Sequence, residues 1–541
     1  MKINNAKDIH KYVEALINNM PLFKMPRYEA LLHVLRTMEA LFTRGSISER
    51  SEANLIMANR AFQDILRYMV YWTYSICPEG GKILSTPANC KEMIKETIEI
   101  AESYSKVFDF IKAEEMGDVS FNINKHSKII GIEYLNEEAG RSFGLHEFFK
   151  GKELGNQSKN FFGNESGNME NMLKAKEEIE KSIKIKNKKE FIYSRSKFVF
   201  KTFEELSENI ISQMFLMPEG WSLGFYTIGN FKLFWKHLLK IAIIHQVAFI
   251  SYVEKMIKGN KNISYDNAVR CDNKKDLVNH IHMYSGLEKK VINNIIQDLI
   301  YDNAVKWTDI MFQPLFQIEN KIIFSPNVIV GSRAERNINV LMSKINPTAY
   351  NDLTSNKEDG MISEFSNTLR ENRYFFEPRV KLKEDDKVIT DIDILVWDEK
   401  KENILLMQLK WLYGADATQE IYNQDKEFAA GIAQVKKSVN FIKRNSSYLS
   451  RFGLRPNNVF GIVISKLGLP SPFLNKENVI LVESEQIIEN LKAVPGNIKK
   501  LYTFLEQSSL PKKEIAECTL NVKEKIIGQY TFRLPVVSCK V

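Results

Sequence analysis

Residues 388–411, VITDIDILVWDEKKENILLMQLKW, contain the feature that most constrains how this chain can fold. Apolar and polar side chains alternate on either side of the charged segment 398–403, which is the pattern of two strands and a turn. Side chains along a strand repeat every two residues. Asp391 and Asp393 therefore share one face of the first strand, and Gln408 and Lys410 share one face of the second.

The length of the turn indicates how these two strands pair. If the hairpin is centred on the bond 400–401, Asp393 lies opposite Gln408 and Asp391 lies opposite Lys410. A slip of one residue would move the charged set to the apolar face and is disfavoured. Directly opposed residues have Cβ atoms about 4.5–5.5 Å apart. Two carboxylates, an amide oxygen and an ammonium would then converge, a patch suited to a divalent cation with hard oxygen ligands and a lysine beside its bound water.

The string Asp393…Gln408-Leu409-Lys410 resembles the signature of the PD-(D/E)xK nuclease superfamily, in the QxK form found in some members such as Mrr-like restriction enzymes. The element order predicted from residue 351 onward agrees: a helix, three strands, a helix and a strand. The resemblance covers residues 358–491, about a quarter of the 541 residues. It implies an α/β restriction-endonuclease-like C-terminal domain with an αβββαβ core. Helical spacing of apolar residues predicts that a large, mainly α-helical N-terminal region precedes this domain.

The resemblance also implies a metal site that holds Mg²⁺ or Mn²⁺. Asp393 is the expected central ligand, and Gln408 would ligate through its amide oxygen. Glu364, on the first helix of the domain, would supply the carboxylate that Gln408 lacks. Glu358 and Glu371 compete for that role.

Three further residues receive roles from the same resemblance. Lys410 would orient or deprotonate the attacking water and stabilise the negative charge that develops on the phosphate; an ion pair with Asp391 is the structural alternative. Asp391 is expected to position the metal ligands without binding the metal itself. Gln434, on the helix 418–444, would hold a phosphate or the lysine, unless it is a surface amide.

Composition shifts divide the rest of the chain. Residues 274–299 have the pattern of two helices with a break at Ser285-Gly286, and a hairpin follows, as in a winged helix; helix pairs of this kind also occur in ordinary helical domains. The predicted parts are a helical N-terminal domain at 1–154, a polar linker at 155–170, a mainly helical middle domain at 171–350 with a winged-helix-like segment at 274–325, the nuclease-like domain at 351–495, and a C-terminal extension at 496–541.

A basic run at residues 181–201 is the candidate nucleic-acid contact. Lysines alternate there with aromatic residues, a composition that can follow a phosphate backbone and stack on bases. A solvated helix end that leads into a strand is the other interpretation. The cations that would bind nucleic acid are Lys184, Lys186, Lys188 and Lys189.

Charge and composition limit the cellular setting. A net charge of +8 permits nucleic-acid binding without requiring it. The five cysteines are scattered, which suits a reducing cytoplasm, and the first residues lack the apolar core of a signal peptide. The longest apolar stretch, 231–253, contains lysines and histidines and is expected to be a buried helix. A cytoplasmic protein without a membrane segment is predicted.

These patterns predict a metal-dependent endonuclease that hydrolyses phosphodiester bonds, in DNA rather than RNA, with defence against foreign (phage) DNA as the setting. Cutting both strands needs two active sites, which favours a homodimer. The alternative is a protein that keeps the nuclease fold without its chemistry and acts as a nucleic-acid-binding or assembly module. Gln408 is the residue that favours this alternative, because it adds no charge for a metal.

Overall fold

The computed structural model describes most of the 541 residues as a mixed α/β protein with a helical N-terminal region, as predicted. The residues outside the description are 1, 49–51, 88, 139, 142–165, 187–189, 194–195, 303–308, 385, 413–417, 469–473, 475–478, 508–517 and 540–541. Most of the predicted linker 155–170 falls outside it, and residues 166–170 already belong to a helix.

The N-terminal region is built from four helices and a strand pair. They are α1 (Lys7–Ile17), α2 (Arg27–Ser48), α3 (Glu52–Ile76), α4 (Cys90–Met116), β1 (Val119–Asn124) and β2 (Ile129–Tyr134). The apolar stripe of α2 is buried, as its helical spacing predicts, with Leu31, Val34 and Leu35 inaccessible to solvent. The sequence pattern did not predict β1 and β2, which pair antiparallel.

The middle region surrounds one long apolar helix. Its elements are α5 (Ser166–Ser182), β3 (Lys184–Lys186), β4 (Glu190–Ile192), α6 (Lys197–Met214), α7 (Ile228–Lys258), β5 (Arg270–Asn273), α8 (Lys274–Ser285), α9 (Lys289–Leu299), β6 (Phe316–Ile318), β7 (Lys321–Phe324), α10 (Pro326–Val330) and α11 (Ala334–Ile345). Among the described residues α7 alone is long and apolar enough to cross a bilayer. Since 72% of its most apolar window is buried, it packs here as a core helix.

A three-stranded sheet separates the middle core from the N-terminal core. Its strand order is β5-β7-β6, and all neighbours are antiparallel. Successive residues of β7 point to opposite sides: Ile322 packs into the middle core and Ile323 into the N-terminal core. The two regions therefore share a structural element.

The C-terminal region contains the predicted hairpin within a five-stranded sheet. Its elements are α12 (Pro347–Glu371), β8 (Phe375–Glu384), β9 (Lys387–Trp397), β10 (Asn403–Lys410), α13 (Thr418–Arg444), β11 (Asn458–Ser465), β12 (Ile480–Glu483), α14 (Ser484–Ala493), α15 (Ile498–Gln507), β13 (Cys518–Ile527) and β14 (Tyr530–Cys539). The sheet order is β12-β11-β10-β9-β8. β8, β9 and β10 pair antiparallel, whereas β10, β11 and β12 pair parallel.

Helices cover both faces of this sheet, which explains the nearly continuous apolar runs of β10 and β11. α12, α14 and α15 pack on the face that carries Ile394, Leu405 and Met407. α13 packs on the other face through Phe428 and Ile442. The charged residues of the hairpin lie on the α13 face, because they alternate with the residues that face α12.

The last part of the chain returns to the first. β14 pairs parallel with β2, so the sheet order is β1-β2-β14-β13. The backbone N–H groups of Ile3 and Gln529 donate to the hydroxyls of Tyr530 and Tyr12, at 3.2 Å and 3.0 Å. Of the predicted extension 496–541, α15 thus covers the C-terminal sheet, while β13 and β14 complete the N-terminal one.

Glu39 of α2 joins the N-terminal region to the start of α10. Its fully buried carboxyl accepts hydrogen bonds from the hydroxyl of Ser325 at 2.6 Å and from the backbone and side-chain N–H groups of Asn327 at 3.0 Å and 2.8 Å. Burial raises the pKa of Glu39 to about 8, although these hydrogen bonds oppose the rise. The folded protein therefore holds a proton that the unfolded chain releases near its ordinary pKa.

We expect the folded state to lose stability as pH rises from about 4 to about 8, by about 1.4 kcal/mol per pH unit from this one group. Glu39→Gln keeps the size of the side chain and removes its titration. Unfolding midpoints at pH 6, 7 and 8 should therefore fall more steeply for the wild type than for Glu39→Gln. Parallel pH profiles would show that Glu39 ionises normally in the fold. Other titrating groups are common to both proteins and cancel in the comparison.

Candidate active site

The pairing of β9 with β10 is the one predicted from the sequence. Leu406 lies opposite Leu395 and Met407 opposite Ile394, which continues to Gln408 opposite Asp393. The backbone ladder ends at Met407. Beyond it Oδ2 of Asp393 accepts hydrogen bonds from Nε2 of Gln408 and from the backbone N–H of Leu409, both at 2.6 Å. The carboxylate thus takes the place of a main-chain partner where the two strands separate.

Asp393 is a buried carboxyl among other acids, with 5% of its surface exposed. Burial raises its pKa to about 6, the N–H of Leu409 opposes this rise, Glu358 and Asp391 raise the pKa further, and Lys410 lowers it. A carboxyl whose ionised form is disfavoured by burial and by neighbouring negative charge would be stabilised by a cation.

Lys410 leaves the end of β10 beneath α13. Its Nζ lies 3.6 Å from Oε2 of Glu427. A Cβ built on Gly431 would be 3.4 Å from Cε of Lys410 and 3.3 Å from Val463. The absence of a side chain at Gly431 therefore leaves room for the lysine to pass along the helix.

Asp391 and Gln434 contact each other across the same face. Nε2 of Gln434 donates to Oδ1 of Asp391 at 3.0 Å, which connects α13 to β9. The sequence left two interpretations of Gln434 open, a residue that holds a phosphate or the lysine and a surface amide; in the structure its amide bonds Asp391. The ion pair with Asp391 was the structural alternative for Lys410, and the acidic group beside that lysine is instead Glu427.

Glu364 of α12 forms an ion pair of its own and is not among the groups that shift the pKa of Asp393. Both of its carboxylate oxygens accept hydrogen bonds from Nζ of Lys466, at 2.8 Å and 2.6 Å, just after β11. Glu358, almost two turns earlier on α12, is the helix carboxylate that acts on Asp393. Its neighbour Asp359 forms an ion pair with Arg379 of β8, which fixes this turn of the helix beside the sheet.

An aromatic contact connects the end of β10 to the middle region. The rings of Trp411 and Trp221 have centroids 5.9 Å apart, and Nζ of Lys466 lies 5.8 Å from the centroid of the Trp411 ring. Trp411 directly follows Lys410. The segment that contains Trp221 therefore lies beside the candidate site.

The donor atoms at Asp393 are those that Mg²⁺ and Mn²⁺ bind. Oδ1 of Asp393 accepts no hydrogen bond from the described residues, and Gln408 beside it carries an amide oxygen. The charge of Glu358 also acts on Asp393, which makes Glu358 the carboxylate to test as a further ligand. Within the described part of the chain, however, no group of three or more His, Cys, Asp or Glu side chains is arranged to hold a metal ion.

The basic run lies only partly within the described residues. Lys184 is exposed on β3, and Lys186 is the last residue of that strand. Lys188 and Lys189 fall outside the description. β3 and β4 form a small antiparallel pair, and both described cations lie on β3.

Several residues at the site had no signal in the sequence. Lys466, Glu427, Trp221 and Gly431 come from separate elements, and none forms a motif with the hairpin. The sequence offers Glu358 only as an alternative to Glu364 for the carboxylate that the helix contributes.

None of the protein-family models compared with this chain matches it, and neither does any curated protein or any solved structure. Its function is therefore inferred from the site itself.

Replacing Gln408 tests whether its side chain binds metal. Gln408→Glu would place a second carboxylate where Nε2 now donates to Asp393, so without divalent metal we expect a lower unfolding midpoint. With Mn²⁺ the added charge should tighten binding, and each tenfold gain in affinity adds about 1.4 kcal/mol of stabilisation under saturating metal. The wild type should bind Mg²⁺ weakly and Mn²⁺ better, and Gln408→Leu should lose the response.

The measurement is thermal unfolding in EDTA and across Mg²⁺ and Mn²⁺ titrations. Gln507→Glu, an exposed position at the end of α15, makes the same change of charge away from the site. Equal metal-induced shifts in the wild type and in all three variants would show that Gln408 is not a ligand.

Proposed function

We propose that this protein is a divalent-metal-dependent endonuclease that hydrolyses phosphodiester bonds, with DNA as its substrate. The observation that carries the proposal is the buried carboxyl of Asp393 on β9. It lies opposite Gln408 of β10, at the point where the two strands separate, and Lys410 is two residues further along β10 on the same face. The order of α12, β8, β9, β10, α13 and β11 supports a restriction-endonuclease-like fold for this region.

The residues divide the chemistry between them. Asp393, Gln408 and Glu358 would hold Mg²⁺ or Mn²⁺, which supplies Lewis-acid stabilisation of the phosphate and lowers the pKa of bound water. Lys410, on the same face, would orient the attacking water and place its ammonium against the negative charge that develops on the phosphate oxygens. Asp391 and Gln434 would keep β9 and α13 in position.

This assignment gives Glu358 the role that the sequence motif gave to Glu364. Glu364 is already neutralised by Lys466, whereas Glu358 lies within the electrostatic field of Asp393. The large non-nuclease part of the chain would select or control access to the substrate, which suits restriction of foreign DNA. Cleavage of both strands would need a homodimer, and Lys184, Lys186, Lys188 and Lys189 would contact phosphates.

A second function is favoured by Gln408, which contributes no negative charge where a carboxylate would bind metal. A nuclease fold without catalysis would then serve as a nucleic-acid-binding or assembly module. Mg²⁺- or Mn²⁺-dependent nicking of supercoiled plasmid by the purified protein distinguishes the two functions.

Lys410→Ala should abolish nicking while leaving the fold and DNA binding nearly unchanged. Loss of a few kcal/mol of transition-state stabilisation would lower the rate more than a hundredfold. Lys400→Ala, at the exposed far end of the same hairpin, is the matched control and should cut like the wild type. Wild-type turnover by Lys410→Ala would rule out this mechanism, and unfolding of the variant would instead indicate a structural role.

A comparison of two isosteric variants on one helix identifies the carboxylate that α12 contributes. Glu358→Gln should weaken the Mn²⁺-induced rise in unfolding midpoint and lower the nicking rate. Glu364→Gln should leave the metal response unchanged and destabilise the protein only slightly, because its ion pair with Lys466 is partly exposed. The reverse ranking would restore Glu364 as the ligand.

A further inference from the structure

Helix α9 has one buried face and one polar face. Ile292, Ile295, Ile296 and Leu299 are buried against the middle core. Lys289, Asn293 and Gln297, spaced four residues apart, are exposed on one side, and Lys290 is exposed beside them. Two cations and two amides thus form a continuous polar surface that packing does not require.

The elements around α9 have the order and pairing of a winged helix. α7 precedes β5, the helix pair α8–α9 follows it, and the β6–β7 hairpin completes a sheet in the order β5-β7-β6. Gly286, with a φ of 73°, ends α8 in the left-handed conformation and makes the sharp turn into α9. In helix-turn-helix units the second helix lies in the major groove of DNA.

We propose that α9 enters the major groove of the duplex that the nuclease site cuts. Asn293 and Gln297 read base edges, since their side chains make paired hydrogen bonds to adenine N6 and N7. Lys289 and Lys290, in the first turn, contact the phosphate backbone and set the register. Nδ2 of Asn293 donates to the carbonyl of Lys289 at 2.7 Å, a bond that it exchanges for the base.

A chain of contacts connects α9 to the catalytic strand. The Tyr226 hydroxyl donates to Oδ2 of Asp298 in the last turn of α9, at 2.8 Å. Tyr226 lies in a short loop closed by a β-bridge between Ser222 and Thr227. Trp221, at the start of this loop, packs on Trp411, the residue after Lys410. Groove reading and cleavage are therefore held at a fixed separation.

The choice of duplex DNA as the ligand rests on the proposed function. The test measures DNA binding under conditions that prevent cleavage. The full chain, in EDTA, is titrated with a labelled random-sequence duplex and with a duplex selected by the wild type from that pool. Lys289→Ala/Lys290→Ala should bind both more weakly, and the log–log salt slope should fall by about 0.9 for each lost phosphate contact.

Asn293→Ala/Gln297→Ala should keep the affinity for the random duplex and lose the preference for the selected one, by roughly 5- to 150-fold for each base contact. Lys7→Ala/Lys11→Ala removes two exposed lysines from α1 and is the charge-matched control, expected to bind like the wild type. Equal unfolding midpoints for all proteins would exclude misfolding as the cause of any loss.

The inference is overturned if the wild type does not bind duplex, if the α9 lysine variant matches the α1 control, or if the amide variant keeps the wild-type preference. Plasmid nicking is scored separately. If the protein binds as expected but does not nick plasmid, the nuclease is refuted and DNA reading by α9 stands. If the protein nicks plasmid but the α9 variants bind like the wild type, DNA reading by α9 is refuted and the nuclease stands.

Discussion

The hydrogen bonds that Asp393 accepts determine how the C-terminal region is arranged. One carboxylate oxygen receives Gln408 and the main chain of Leu409, so that the strands can separate without leaving a buried N–H unpaired. A slip of one residue would remove both bonds and turn every apolar side chain of β10 to the wrong face. The same register places Lys410 under α13, where Gly431 leaves room for it.

Burial disfavours the ionised form of the Asp393 carboxyl when no cation is beside it. Desolvation and the charges of Glu358 and Asp391 oppose its ionisation, and the N–H of Leu409 and the charge of Lys410 only partly compensate. If the proposed metal binds here, its positive charge would offset the cost of burying the ionised carboxylate. Gln408 avoids a repulsion that an acid at this position would cause, because a second carboxylate would face that of Asp393 and lower the stability of the fold.

Much of the C-terminal region was predictable, because alternation along strands and helical spacing are local signals. The register of the hairpin and the bounds of α13 follow from them. The pairing of Glu364 with Lys466 does not, because these two residues are 102 positions apart in the chain and share no local pattern. The strands of residues 518–539 are not predicted for a related reason: β14 pairs with β2, just over four hundred residues earlier, and a long-range partner leaves no signal in the nearby sequence.

The return of the chain to its beginning has a mechanical consequence. β14 lies parallel to β2, and Tyr530 and Gln529 are bonded to the first helix and the residues before it. Tension applied between the two ends would thus act first on the four-stranded sheet and on α1. The middle region and the five-stranded sheet of the C-terminal region, which lie between these attachments in the chain, would bear no force until the four-stranded sheet has separated.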